Sequence, residues 1–235
     1  DYCIGFSTCV TRTIELAHRL RTSAGSHERF LVLEVFGRYA GYTAILPTMA
    51  GAADRCVIPE SPFAMEHLAE LLTADRTNHP SRYSVVLVSE GAKPLGTAEM
   101  VFEGRERDQY GHRKLGGIGD LVSAGLKELS PKFNQGRRIN VVNQRLGYLV
   151  RSGDPDAMDS IVPMAFGNLA LDLILDGTSG RLVSLRNGVY DSVPIEVVTG
   201  RKKVVDIHKF YNADRLRPRY TTFERKPLFI MTSDV

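Results

Sequence analysis

The chain has 235 residues, of which 43% are hydrophobic and 24% charged, with a formal net charge of +3. That is the composition of a globular protein with one large or two small domains, and so mild a positive balance does not imply nucleic acid or a membrane surface as the partner. No apolar run reads as long enough to span a membrane, no secretory signal is expected, and Cys3, Cys9 and Cys56 lack metal-ligand spacing and read as free thiols of a reducing cytosol.

In chain order, Val10, Ile14, Ala17 and Leu20 recur at helical spacing and predict a helix over Thr8–Arg21. Phe30–Val35 is a short apolar run, the signature of a buried, parallel strand. It leads through Phe36-Gly37-Arg38-Tyr39-Ala40-Gly41 into a helix at Tyr42–Met49. Arg55–Ile58 predicts a second strand, stopped by Pro59, and Phe63–Leu72 a helix. Ser84–Val88 predicts a third strand, ending at Ser89-Glu90-Gly91. Strand and helix alternating in this way mean a parallel α/β sheet. Residues 92–115 read as a long loop or hairpin, Ile118–Leu129 as a helix, Arg138–Val142 as a strand, and Leu146–Arg151 as a strand or its end. Asp156–Leu175 predicts a long apolar helix closed by Gly177. Arg181–Leu185 is a strand followed by the Asn187-Gly188 hairpin turn, and the chain beyond Arg201 reads as a peripheral wrap.

Arg38, Glu90 and Arg151 share one situation: each follows the carboxyl end of a predicted strand. In a parallel sheet those ends lie on one edge, where open α/β sheets bind ligands. Glycines at 37 and 41 permit close approach of a ligand to the backbone, and the helix N-terminus behind Arg38 favours an anion. Two guanidinium forks and one carboxylate suit a phosphorylated sugar, the arginines taking phosphate and the carboxylate accepting hydroxyl hydrogen bonds. Gly116-Gly117-Ile118-Gly119 offers a phosphate cradle or a plain helix-entry turn, and it lacks the lysine and hydroxyl of a P-loop. The histidines form no metal or triad pattern, and Ser89-Glu90-Gly91 is not a hydrolase elbow.

Five segments carry a resemblance. Asp1-Tyr2-Cys3-Ile4-Gly5-Phe6, Ser26-His27-Glu28-Arg29, Glu34 to Gly41, Ile58-Pro59-Glu60 and Leu146 to Gly153 occur in the order found in 6-phosphofructokinases, and the similarity runs to roughly residue 200. The resemblance implies a three-layer α/β/α, Rossmann-like fold with its N-terminal part missing. It implies a fructose 6-phosphate-binding α/β domain at 1–150, the C-terminal part of the phosphoryl-donor domain at 151–200, and a tail at 201–235 that packs across. Arg38 would be catalytic, facing the transferred phosphoryl group. Arg29, Phe36, Gly37, Arg38, Glu90, Tyr148 and Arg151 would bind substrate, Arg29 from a neighbouring subunit, so that a homo-oligomer shares its active sites. Phe36 stands where many members have methionine, and Tyr148 replaces a histidine. Val142 stands where another family arginine belongs, leaving Arg138 or Arg145 to compensate.

The same resemblance implies that the donor loop and the catalytic aspartate precede residue 1, that this fragment alone is inactive, and that Mg²⁺ is held mainly by the missing part. Two features lean toward pyrophosphate as the donor. Phe36, the Leu115–Gly119 stretch and the long tail are similar to the longer pyrophosphate-dependent members. The effector site of bacterial ATP enzymes is matched by Arg21 and Asp54, but its two lysines are replaced by His79 and Ser81. The expected reaction is phosphoryl transfer to the 1-hydroxyl of fructose 6-phosphate, in the cytoplasm. The alternatives are an ATP-dependent enzyme and a non-catalytic sugar-phosphate-binding subunit.

Overall fold

A strand that is apolar at both odd and even positions must be covered on both faces, and Phe30–Val35 is buried along its whole length. The computed structural model of the chain describes residues 2–97, 100–107, 113–200 and 203–220. In it Phe30–Val35 (β1) lies inside a four-stranded parallel sheet with Arg55–Val57 (β2), Ser84–Ser89 (β3) and Val141–Arg145 (β6), in the order β2-β3-β1-β6. Side chains alternate across it as the pleat requires. Leu31, Leu33, Val35, Val85 and Leu87 enter one core; Phe30, Val32, Val86 and Val88 enter the other. Helices Phe6–Gly25 (α1) and Tyr42–Met49 (α2) supply the first core, Met65–Asn78 (α3) and Ile118–Phe133 (α4) the second. The three layers are those of an α/β/α fold.

Several boundaries differ from the sequence expectation, each for a physical reason. β6 begins at Val141 rather than Arg138, because its register is set by pairing with Phe30–Glu34 of β1, while Ile139 is spent on the second core before the strand starts. Leu146–Arg151 is not strand: Gly147–Arg151 forms a 3₁₀ turn that buries Val150 and leaves Tyr148 78% exposed. α3 runs on past Leu72 to Asn78 because Arg76 is buried there. Residues 92–115 contain an antiparallel pair, Phe102–Arg107 (β4) and Arg113–Leu115 (β5).

Beyond residue 151 the packing changes. Ala157–Leu175 (α5) is capped by Asp156, whose side chain accepts from the Asp159 amide, and is followed by the hairpin Arg181–Arg186 (β7) and Val189–Pro194 (β8). Only Asp159, Val162 and Phe166 of α5 are buried, and Ile174 is 71% exposed. By length and composition alone α5 is long and apolar enough to cross a bilayer, which corrects the reading that no segment reaches that length. Asp159 ties α5 to the start of α1: it accepts from the Gly5 and Thr8 amides, both at 2.7 Å, and from the Thr8 and Tyr2 hydroxyls, both at 2.6 Å. Asp156 accepts from Ser7 and Thr11 on the same helix. Residues 203–220 return across the sheet. Val205 and Tyr211 join the first core and Leu216 the second, the Tyr211 hydroxyl donates to the Cys56 carbonyl, and the Cys56 amide donates to the Leu216 carbonyl.

Candidate functional site

The carboxyl ends of the four parallel strands open onto one edge of the sheet. β1 delivers Phe36-Gly37-Arg38, β3 delivers Glu90, and β6 delivers the 3₁₀ turn with Tyr148 and Arg151. Two backbone bonds lock the first two loops together: the Glu90 amide donates to Val35 at 2.9 Å, and the Gly91 amide donates to Gly37 at 3.1 Å. The approach is so close that a Cβ on Gly91 would sit 2.0 Å from the Arg38 carbonyl oxygen, so this position takes only glycine. Gly41 was expected to admit a ligand. Its space is filled by Ile58, which a Cβ would meet at 2.4 Å, and its amide donates to both Glu60 oxygens at 3.0 and 3.1 Å. The N-terminus of α2 is therefore answered by a carboxylate of the chain itself.

Burial pushes the Glu90 carboxyl above the usual carboxylate range, opposed first by the Arg38 guanidinium and then by the Gly37 amide and Arg151, with Glu34 adding to the upward shift. The Glu90 carboxyl thus lies within electrostatic reach of both Arg38 and Arg151. The Arg151 guanidinium lies 4.9 Å from the centre of the Phe36 ring and 5.8 Å from that of Tyr148. The two rings meet edge to face at 6.1 Å and 72°. A cation held against aromatic faces is stabilised by about 0.5–1 kcal/mol at an exposed site, and its swing is narrowed. A cavity of about 460 Å³ opens beside this group, between Phe36, Thr43 and Arg151 and the Cys3–Phe6 entry to α1.

The Gly116–Gly119 turn does not reach that cavity. Glu34, 4% exposed and facing the α4 side of β1, accepts from the Gly119 amide at 2.8 Å. Arg145 approaches Glu34 at 3.3 Å and Asp120 at 3.4 Å. The α4 N-terminus is filled by this internal carboxylate, and the turn is a helix entry. Arg145 is committed to the same network. Arg138 and Arg29 stand at the opposite, amino-terminal edge, Arg29 directly before β1 and about 20 Å from Arg38 along a six-residue strand. Glu34 and Glu60 were missed as organising residues. For Glu34 the signal was available, since a carboxylate inside an apolar strand needs an internal donor; Glu60 lies in the turn after β2 and carries no such local signal.

The phosphofructokinase family profile matches residues 1–174. A pyrophosphate–fructose 6-phosphate 1-phosphotransferase of Amycolatopsis methanolica is 36% identical over 214 residues, 91% of this chain and 60% of that protein. An ATP-dependent 6-phosphofructokinase of Chloroflexus aurantiacus is also 36% identical, over 88% of this chain and 54% of its own length. Among solved structures, a pyrophosphate-dependent phosphofructokinase from Nitrosospira multiformis superposes with a TM-score of 0.67 at 18% identity, covering 92% of this chain and 51% of that one. The phosphofructokinase of Saccharomyces cerevisiae gives 0.66 at 24% identity, covering 85% and 24%. This chain thus spans little more than half the length of the curated relatives it matches. Within that span the strand-end loops, the parallel sheet and the matched profile agree, and the chain belongs to the phosphofructokinase family.

Proposed function

We propose that this chain carries the fructose 6-phosphate half of a 6-phosphofructokinase, and that the complete enzyme moves a phosphoryl group from pyrophosphate to the sugar's 1-hydroxyl to give fructose 1,6-bisphosphate. The observation that supports this reading most is that the loops carrying Arg38, Glu90 and Arg151 leave β1, β3 and β6 at one sheet edge, the first two locked together by backbone bonds. In it the Gly37-Arg38 turn seats the sugar phosphate ester beside Phe36. Glu90 accepts a hydrogen bond from a sugar hydroxyl. Arg151, steadied by Phe36 and Tyr148, binds the phosphate, with the Tyr148 phenol as an added donor. Arg38 counters charge on the moving phosphoryl group, which is the main lever of such reactions.

Among the described residues no group of three His, Cys, Asp or Glu can hold a metal ion. In this reading Mg²⁺ is held mainly by the segment that the longer relatives carry. Residues 1–150 form the sugar-phosphate domain, 151–200 belong to the donor domain, and the tail crosses back. The exposed apolar side of α5 fits a helix that meets that further segment. The enzyme works in the cytoplasm as a homo-oligomer in which Arg29 serves a neighbour's substrate. Relatives named for either donor are equally similar. Pyrophosphate is favoured by Phe36 and by the replacement of two effector lysines with His79 and Ser81.

The test uses the complete protein in a coupled assay. Turnover with pyrophosphate at least tenfold above that with ATP is expected, and the reverse overturns the donor assignment. Arg38→Ala should lower kcat by roughly a hundredfold, about 3 kcal/mol. A rise in KM alone would reduce Arg38 to a binding residue. Mixing Arg29→Ala with Arg38→Ala chains should restore part of the activity in hybrid oligomers, and confirmed hybrids without recovery count against shared sites.

A further inference from the structure

A second concave site lies at the other end of the sheet. Three turns meet there: the α1–β1 turn with Glu28, the α3–β3 turn with Arg82, and the turn after α4 with Gln135. Together with the end of α3 they enclose a cavity of about 320 Å³ lined by Glu28, Arg76, Thr77, Arg82, Gln135 and Arg137, among others. Three arginines and one glutamate are among the lining residues, so the lining carries an excess of two positive charges. Arg76 is 8% exposed, and it donates to the Glu28 carbonyl at 2.7 Å and to the Glu28 carboxylate at 3.0 Å. Arg82 stands farther off, 3.9 Å from the same carboxylate oxygen. One carboxylate is therefore divided between two arginines, and Arg137 brings a third cation into the cavity.

The backbone is unusual here too. Glu28, Arg82 and Gln135 have φ of 53, 50 and 52°, three of five such non-glycine residues among those described. Side chains disfavour this left-handed conformation, and it is used here to turn three loops inward onto one space. Burial pulls the Arg76 guanidinium down from its ordinary value; Glu28 opposes the shift and Arg82 adds to it, so the group already present is only partly compensated. None of Arg21, Asp54, His79 or Ser81 lines this cavity, and neither does any residue of the sugar-phosphate edge.

We propose that the cavity formed by Arg76, Arg82 and Arg137 is a second anion site, taking a small phosphate-bearing ligand. A tetrahedral dianion matches the charge excess, guanidinium forks are the side chains best shaped for its oxygens, and the volume holds a phosphate with a short ester substituent. Glu28 limits the site to small ligands. It accepts a hydroxyl hydrogen bond from a phosphomonoester and repels a second acidic group placed against it.

The test is calorimetric titration of the chain with inorganic phosphate at constant ionic strength. Arg38→Ala with Arg151→Ala and Arg29→Ala removes the three arginines assigned to the sugar phosphate and serves as the background. In that background one phosphate site should remain, and adding Arg137→Gln or Arg82→Gln should weaken it about tenfold, the worth of one charge-assisted hydrogen bond, with unchanged circular dichroism and melting temperature. Glycerol phosphate in the same background separates an ester ligand, which binds as tightly as phosphate, from the free ion, which alone binds. No phosphate binding in the background, or binding unaltered by both glutamine substitutions, overturns the proposal. Binding lost with Arg137→Gln but untouched by the background substitutions would keep this site and count against the sugar-phosphate edge instead.

Discussion

The sheet and its four helices differ from α5 and the hairpin behind it in how completely each buries its own apolar surface. All six residues of β1 and all six of β3 are buried, and both faces of the sheet have a closed core. α5 is more apolar than α1, yet three buried residues in nineteen is all it achieves, over a small cluster of Val162, Phe166 and Leu185. Apolar composition therefore does not make a core; a partner surface does. What holds α5 in place is polar instead, the paired aspartates at its N-terminus gripping the first turn of α1.

The largest expected effect sets one region against the other. Leu87→Ala at the sheet centre should cost about 3–4 kcal/mol in urea denaturation, the range for emptying a closed core. Ile174→Ala in this chain should stay within about 0.5 kcal/mol, as exposed substitutions do. In the complete protein the same Ile174→Ala should cost about 2 kcal/mol or more if α5 meets a further segment; equal small costs in both forms would break the comparison.

Asp159→Ala attacks the polar seam. Leaving the Gly5 and Thr8 amides without their acceptor should cost about 2–3 kcal/mol and open α5 to hydrogen exchange while β1 stays protected. Uniform loss of protection across both regions would show that they melt as one. Burial alone would raise the Asp159 carboxyl, but hydrogen bonds from Thr8, Tyr2 and the Thr8 and Gly5 amides outweigh it, and the group lies below its ordinary value. A depressed carboxyl contributes stability that is present above the unfolded pKa and lost as pH falls through the folded one. The seam should therefore loosen below about pH 4, and Asp159→Asn should shrink that acid step, leaving the part contributed by the likewise depressed Asp156.

Glu90 has the opposite sign. Its raised carboxyl is most compatible with the fold below the unfolded pKa, and the stability is lost as pH rises through the folded value. Glu90→Gln should raise stability above the ordinary carboxylate range and leave it unchanged below that range, as replacing a buried charge by a neutral isostere does. A pH-independent difference would remove Glu90 from its charged setting. The smallest effect concerns Arg151: a double-mutant cycle on Phe36→Leu and Tyr148→Leu, read as fructose 6-phosphate affinity, should show coupling of about 0.5–1 kcal/mol. Strict additivity would mean that the two rings act separately.

Much of this was legible in the chain. Phe30–Val35 and Tyr42–Met49 match the sequence reading residue for residue, because an apolar run and a glycine-bounded helix are local signals. Arg38, Glu90 and Arg151 were assigned to one edge because each follows the carboxyl end of a segment read as a parallel strand. The misplaced elements were those whose form depends on distant partners. β6 takes in Asn143, Gln144 and Arg145, polar residues that no strand pattern favours, because β1 lies alongside and Glu34 awaits a cation. The 3₁₀ turn reads as strand until Val150 is known to be its only buried residue. Arg76 lengthens α3 through a bond to Glu28, 48 residues away.

The return of residues 203–220 gives the protein an order of assembly. Glu60 closes on Gly41 using neighbours made within 19 residues, but its bond to the Val205 amide joins groups 145 residues apart. At ribosomal speeds of roughly 5–20 residues per second, that latch arrives about 7–30 s later. Until then β2 has no cover over its outer backbone, the Cys56 amide lacks the Leu216 carbonyl, and the Cys56 carbonyl lacks the Tyr211 hydroxyl. A bare edge strand of this kind recruits other strands. The nascent protein is therefore exposed to mispairing in the interval before its tail emerges, and a chaperone that bound the β2 edge for those seconds would guard the Gly41 turn as well, since Glu60 bonds both.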